Sequence, residues 1–431
     1  MLTELPKSRV PTREKRELLN LILFGSGITI SLFGTFIYGF AMGLFVLQLT
    51  GSGLSFATTL VLNVLPRLIF NPLAGVLADR FNRKVLVVLT DFLNAFFLIA
   101  LYFYTRQYDL SVYVIYISTF TITTLTTIFD ISFVAAVPNL VSKRKLLQIN
   151  SLSKVIDSAA AIISPMIGGF IFALVDIRIF IIINGLSFLI SALLELFIDF
   201  NYNSEQRGNR NKRQHIFKEI KDGVNYFFKQ KSFIYIFTIL ITTNFFTALA
   251  ISVPLPFIVN NVLQLGFRYF GIIQGSFSVG MIMGAFLIKQ VTRGLTLLNL
   301  LLVSNLLLGF CMISSVIPLL FLAFFTSKMT LLVYYIIDLV LMGIAISLID
   351  IPLISMLQKS IPDSLRGRVL SIGFSLGKVI MPVALILAGL LINTLPPYVL
   401  PVTGGVALIA WIVFFKIRYG DKLLFDLSTN N

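Results

Sequence analysis

One cysteine, one histidine and one tryptophan occur among 431 residues, and only 12% of the chain is charged. A lone thiol, Cys311, builds no disulfide framework, and it lies inside a hydrophobic run. A lone histidine, His215, sits in a polar stretch. No zinc site and no Cys–His nucleophile pair can be assembled from these residues, and no hydrolytic triad either. No metal or cofactor is expected, and the chain does not read as an enzyme. A phosphate-binding loop is also missing. Gly373 and Gly377–Lys378 mimic its spacing, but the following Ser/Thr is absent and the segment is hydrophobic. That argues against ATP-driven work by this chain alone, so energy comes from a gradient or movement is downhill. A cleavable signal is not expected, because the basic start runs into a hydrophobic stretch too long for a signal core.

What is abundant is apolar. Hydrophobic residues make up 57% of the chain, with 41 phenylalanines, where a soluble domain is roughly half apolar and about a quarter charged. An integral membrane protein is the expectation. Twelve segments are long enough to cross a bilayer core: 19–48, 54–78, 85–104, 110–136, 149–174, 178–199, 232–259, 268–288, 295–320, 330–357, 369–393 and 397–417. Several hold prolines, among them Pro66, Pro72, Pro165, Pro254, Pro256, Pro352 and Pro382, which membrane helices tolerate when neighbours satisfy the freed backbone groups. Segment 1 carries Gly27, Gly34, Gly39 and Gly43, which suit close helix crossing.

Lys and Arg outnumber Asp and Glu by 34 to 19. With both termini cytoplasmic, twenty-seven of the thirty-four basic residues fall in cytoplasmic segments. Only Arg106, Arg178, Arg268 and Lys328 fall outside, and Arg67, Lys154 and Lys378 lie within spans. Topology thus explains the net charge of +15, and nucleic acid is not an expected partner. The polar stretch 200–231 divides the chain into an N-terminal lobe at 19–199 and a C-terminal lobe at 232–417, flanked by cytoplasmic segments at 1–18 and 418–431. Within it, HIFKEIKDGVNYFFKQK has an apolar face at helical spacing against a basic one, as an interfacial helix touching membrane lipids would. A faint repeat relates the halves. Val137–Pro138 and Ile361–Pro362 each open a basic loop, and the loop after segment 2 has a worn counterpart, GAFLIKQVTR, in which Ile288 replaces an aspartate. Such repeats suit transporters with a site at mid-depth.

The loop after segment 2 is the most specific stretch: GVLADRFNRK, with Gly75, Asp79, Arg80, Arg83 and Lys84. So short a loop makes segments 2 and 3 antiparallel neighbours. Gly75 allows close backbone approach, and Asn82 tolerates left-handed backbone angles in the turn. The stretch resembles the helix 2–3 signature of the major facilitator superfamily, with Asn82 in place of its usual glycine. The resemblance implies an all-α membrane protein of twelve transmembrane helices in two six-helix lobes. It also implies that Asp79 and Arg83 belong to a cytoplasmic gate completed by Asp130, rather than Asp130 touching substrate. Segment 5 reads AAAIISPMIGGFIF, in which Pro165, Gly168 and Gly169 match the core of the family's antiporter signature and Ser164 replaces its first glycine. That match favours export, although small residues here also suit plain helix packing. LPRLIFNPLAGVLADRFNRK, VPNLVSKRKLLQINSL and QKSIPDSLRGRVLSIGFSLGKVIMP are similar to the bacterial macrolide-efflux and enterobactin-exporter branch. The family's helix 4 arginine has no counterpart; Ile122 falls roughly there.

Charges inside spans are costly and mark function by default. Arg67, Asp130, Lys154, Asp157, Asp338, Asp350 and Lys378 all fall on helices that line or flank the cavity of the superfamily fold. Asp91, Glu195 and Asp199 fall toward the inner ends of peripheral segments. Arg67 lies about 18 Å above Asp79 at the helical rise, with Asp157 the nearest acid by depth. Lys154 and Asp157 share a face, as an intrahelical pair or as cavity charges. Asp338 is expected near the outer surface, solvated. Asp350, with no charge three or four residues away, is the best coupling candidate of the second lobe, and Asp157 that of the first. The resulting expectation is a monomeric exporter of drugs or small organic metabolites in the bacterial inner membrane, exchanging substrate for protons by alternating access. An exporter of an anionic metabolite such as a siderophore, or a lipid translocase, are its rivals.

Overall fold

A computed structural model describes residues 13–202, 231–291, 295–325, 327–361 and 366–429. Among these residues there are helices and no strands. The first half contains α1 (Arg13–Thr50), α2 (Gly53–Arg80), α3 (Arg83–Gln107), α4 (Val112–Leu140), α5 (Leu146–Leu174) and α6 (Ile177–Leu196). The second contains α7 (231–262), α8 (Phe267–Val291), α9 (Leu297–Leu320), α10 (Lys328–Ser360), α11 (Arg366–Ile392) and α12 (Val399–Thr429). Ten of these helices are long and apolar enough to span a membrane, and α5 is an eleventh if its two bent parts count as one. The expected amphipathic helix, and His215 with it, falls outside the described residues except for Lys231.

Two spans expected to be continuous are broken, and proline is the reason in both. α2 comprises Gly53–Leu62 and Leu65–Arg80, separated at Asn63 and Val64. Pro66 opens the second piece, since it has no N–H to offer Leu62 and fits only the first turn of a helix. In α7, π turns at Ala248–Ser252 and Ile258–Val262 flank the helical turn Pro254–Phe257. Pro254 and Pro256 remove two donors, and the wider turns absorb the disruption. α5 bends by 40° between Ala161 and Ile163, where the Pro165 ring crowds the carbonyl one turn back. At the far end of the chain, α12 runs on beyond the expected apolar segment to Thr429.

The helices form two six-helix lobes. α1 packs on α2, α4, α5 and α6, and α3 packs on α4 and α6. In the second half, α9 packs on α10 and α12, and α7 on α11 and α12. α8 and α10 cross closely at Gly280, Gly284 and Gly343; a Cβ on Gly280 would lie 2.1 Å from the carbonyl oxygen of Val340. Such contacts replace the hydrophobic drive that lipid does not supply between helices.

The lobes meet through α5 with α8 and α2 with α11, and their closest contacts gather at one end of the bundle. Gly169 and Gly271 bring the α5 and α8 backbones together, so that a Cβ on Gly271 would lie 2.7 Å from Gly169 Cα. Phe172 meets Phe267 edge-on at 4.9 Å between centroids. Gly53 N donates to Asn393 Oδ1 at 3.0 Å, and Asn393 Nδ2 donates to Ser52 Oγ at 3.1 Å. The opposite end carries the basic loops after α2 and α4. There the side chains of Lys154 and Asp157 are 84% and 50% exposed. Among the described residues, the tight contacts between the lobes thus gather at the Ser52–Asn393 end.

Candidate functional site

Two residues, Phe81 and Asn82, join α2 to α3. Asn82 keeps an extended backbone, not the left-handed one its chemistry allows, because it caps α3: Lys84 N donates to Asn82 Oδ1 at 3.0 Å. From this cap Arg83 reaches two other helices, α2 and α4. Nη2 lies 4.0 Å from Asp79 Oδ1, Nε donates to Ala78 O at 3.2 Å, and Nη1 donates to Ala135 O on α4 at 2.6 Å. Lys84 Nζ donates to Leu196 O and Ile198 O at the end of α6, where the carbonyls have no helical donors of their own. The loop thus ties α2, α3, α4 and α6 at the basic end. Arg80 is exposed. Gly75, expected to admit a close backbone, has no described residue within 4 Å of where its Cβ would stand. The basic-end half of α2 is the half that stands away from the tight interlobe contacts.

Arg67 stands on the second piece of α2, which packs along α4. Its Nη1 lies 3.6 Å from Asp130 Oδ2, with both side chains about one-third exposed. Its partner is therefore Asp130, not Asp157 as depth alone suggested. The reason is lateral: α2 and α4 are neighbours, whereas Asp157 is carried by α5. Arg83, expected beside Asp130, reaches α4 at Ala135, about 7.5 Å further along that helix by the rise per residue.

Lys154 and Asp157 pair with each other along α5 at 3.9 Å. Higher on α5, Gly168 faces α1 against Phe40, and Gly169 faces α8. The Pro165–Gly169 stretch thereby forms the crossing with the second lobe. Asp338 corrects another expectation: it is buried, 5% exposed, and Ser314 Oγ of α9 donates to its Oδ1. Tyr334 and Tyr335 close over it and donate to the carbonyls of Ser314 and Ser315. Asp350 is half-buried on α10. Lys378 lies on α11, and its side chain is outside the described residues.

Three buried acids were missed as site residues. Asp91 and Glu195 were read as lying toward helix ends, yet both are essentially inaccessible and converge on Ser31 and Ser191. Glu17, in the basic N-terminal stretch, accepts from Ser142 N at 2.6 Å and lies 3.7 Å from Lys145. Ser191, four residues before Glu195, and Asn94, three after Asp91, were the available signal. Only the azimuth of each helix reveals that they meet.

Among the described residues no group of acids, histidines and cysteines could hold a metal ion. A family profile described as Major Facilitator Superfamily matches residues 24–372. The uncharacterized MFS-type transporter YfiS of Bacillus subtilis (strain 168) is 25% identical over 215 residues, which is 50% of each chain. Macrolide efflux protein A of Streptococcus pyogenes is 22% identical over 370 residues, 85% of this chain and 87% of that one. Among solved structures, a POT family transporter in complex with a thioalcohol-conjugated peptide aligns with a TM-score of 0.68 at 14% identity, covering 93% of this chain and 96% of that one. A bacterial homologue of the iron transporter ferroportin in an inward-facing state aligns with 0.66 at 17% identity, covering 94% and 99%. At such identities these structures establish the fold alone.

Proposed function

The chain belongs to the major facilitator superfamily, and from that premise we propose that it is a secondary active exporter of drugs or small organic metabolites, working by alternating access in the bacterial inner membrane with its basic end cytoplasmic. The observation that carries the proposal is the asymmetry of the lobe contacts. The helices meet tightly at Gly169–Gly271 and Ser52–Asn393, and among the described residues no such crossing of the lobes is found at the end with the basic loops, as suits a carrier loading from the cytoplasm. Macrolide efflux protein A, matched along most of both chains, supports export of an organic compound. The Pro165–Gly169 crossing supports antiport, with protons as the counter-ion.

In this reading Asp79, Arg83 and Gly75 are gate residues. When the basic end closes, the space over Gly75 receives the second lobe. The in-span cations bear on the cargo. Arg67 is paired with Asp130 and Lys154 with Asp157. Among the described residues the wall thus offers balanced pairs rather than free positive charge. At Arg67 and Lys154 that favours neutral or amphipathic organic molecules over a siderophore-like anion; the side chain of the third in-span cation, Lys378, lies outside the described residues.

The experiment is accumulation of macrolides and other amphipathic compounds in deletion and overexpressing cells, with and without a proton uncoupler. Export predicts lower accumulation on overexpression and loss of that difference with uncoupler. Equal accumulation in both strains across the panel would refute export of these compounds.

A further inference from the structure

The first lobe buries two carboxyl groups. Asp91 on α3 is 1% exposed and Glu195 on α6 is 0% exposed. Both turn toward α1. Ser31 Oγ and Asp91 Oδ2 share a hydrogen bond. Ser31 Oγ lies 3.0 Å from Ser191 Oγ. Ser191 Oγ lies 3.2 Å from Glu195 Oε1 and 3.0 Å from the carbonyl oxygen of Gly27. Gly27 leaves the room for this, since a Cβ there would lie 3.3 Å from Glu195 Oε1.

These are four oxygen–oxygen contacts, and the two serine hydroxyls supply only two hydrogens between them. With both acids ionised, two contacts would set lone pair against lone pair in a site closed to solvent. With both acids protonated, hydrogens and contacts match in number. The surroundings point the same way. Among the described residues Asp91 Oδ1 and Glu195 Oε2 have no hydrogen-bond partner within the usual distance and angle, and neither amide atom of Asn94 has one. Asn94 is 0% exposed and lies three residues on from Asp91, on the same face of α3. Carboxylates buried in this way with so few donors are costly.

The second lobe shows that packing does not demand acids here. On α7 and α9, the counterparts of α1 and α3, Thr243 Oγ1 donates to Asn305 Oδ1 at 2.7 Å, and Asn305 Nδ2 donates to Leu301 O at 2.8 Å. Both amide atoms of Asn305 have a partner there, within one continuous apolar core. In the first lobe the core is split into two apolar clusters, one around Phe24 and Phe133, the other around Met42 and Leu98. On α3 and α6 the acid–serine layer falls between them: Asp91 lies between Val87 and Ala95, and Ser191 and Glu195 between Phe188 and Ile198.

We propose that Asp91 and Glu195 form a proton-binding site, with the Ser31–Ser191 chain linking the two carboxyl groups while α1 is docked against α3 and α6. The charged groups of the packed helices around it are few. Asp130 of α4 acts on Asp91 through space and is itself held by Arg67 of α2. Asp157 of α5 is paired with Lys154. Glu17 on α1 and Lys84 on α3 lie toward the basic end, each with its own partners. α1 also touches the second lobe, where Phe40 stacks on Phe270 of α8. Displacement of α1 during the transport cycle separates Ser31 from its partners and changes the number of protons the site holds. Its use in transport rests on the antiport reading; proton binding itself does not.

The test uses the purified full-length chain in detergent. Infrared spectra from about pH 5 to about pH 9, in H2O and D2O, read the C=O band of protonated carboxyl groups, and exposed carboxyls are ionised above about pH 6. The wild type is expected to keep a deuterium-sensitive carboxylic band at neutral pH. Asp91→Asn and Glu195→Gln should each remove one component and the double variant both, while Asp338→Asn marks any contribution from the second lobe. Elution and melting check that the variants fold; if one does not, the wild-type titration decides, and a wild type with no carboxylic band at neutral pH overturns the proposal. Identical spectra for the wild type and the folded double variant overturn it too. So does a band abolished by sodium or calcium ions at fixed pH, which would make this a cation site. Vesicles that show no substrate-driven proton movement while the band persists would defeat the antiport reading and leave the proton site standing.

Discussion

Arg67 of α2 and Asp130 of α4 face each other at 3.6 Å, each about one-third exposed. The pair balances a charge that would be costly alone at that depth. It also fixes the basic-end piece of α2 against α4, below the break at Asn63.

Breaking this pair should cost transport more than folding. Arg67→Met and Asp130→Asn are each expected to lower efflux about tenfold, corresponding to roughly 1.4 kcal/mol, with melting temperature changed by a few degrees. The exchange Arg67→Asp with Asp130→Arg should recover part of the loss. Single variants that transport at the wild-type rate would show that the pair is only structural surface.

The gate proposal makes a paired prediction about the loop after α2. Asp79→Asn should abolish transport while leaving membrane insertion normal, because Asp79 is 59% exposed and carries little of the packing. Gly75→Leu should insert and melt normally too, since no described residue lies within 4 Å of where a Cβ would stand. It should still stop transport by obstructing closure of the basic end. Normal turnover by either variant counts against the gate.

At the other end, Gly271→Ala places a methyl group against the α5 backbone, 2.7 Å from Gly169 Cα. Overpacking of this kind costs about 1–3 kcal/mol. The variant should shift the population away from the closed Ser52–Asn393 end. Thiol labelling of a cysteine introduced at Asn393 checks this: faster labelling in the Gly271→Ala background is expected, and unchanged labelling would show that the crossing does not hold that end shut.

Asp350 tests coupling in the second lobe. It is half-buried on α10, and among the described residues no ion pair holds it as Arg67 holds Asp130. Asp350→Asn is expected to uncouple efflux from the pH gradient while substrate still binds. The measurement is substrate-driven proton release from reconstituted vesicles. Release at the wild-type level would move the coupling proton to the first lobe, where Asp91 and Glu195 lie.

Much of the architecture was legible because it is written along one dimension. The apolar runs are long enough to span a bilayer, and the clusters of Lys and Arg between them mark one end of the bundle. The Asp79–Lys84 loop was legible in part for the same reason, as the Asp79–Arg83 pair and the Asn82 cap are local, whereas the reach of Arg83 to Ala135 and of Lys84 to Leu196 was not. Pro66 was visible too, but whether α2 would bend or break depended on Asn63 settling against Gly39 of α1, where a Cβ would lie 2.9 Å from Asn63 Oδ1.

The sequence by itself determined how many helices there are, which ends are basic and which short loop closes α2 onto α3, because hydrophobic length and local charge need no tertiary contact to be read. The tertiary structure alone decided that Arg67 meets Asp130, that Asp338 is buried behind Tyr334 and Tyr335, and that Asp91 and Glu195 converge on two serines. Each of those depends on the direction in which a side chain leaves its helix. In a soluble protein an amphipathic pattern would reveal that direction. In a helix apolar on every side, lipid and protein interior are alike to the sequence, and only the packing of one helix against another tells them apart.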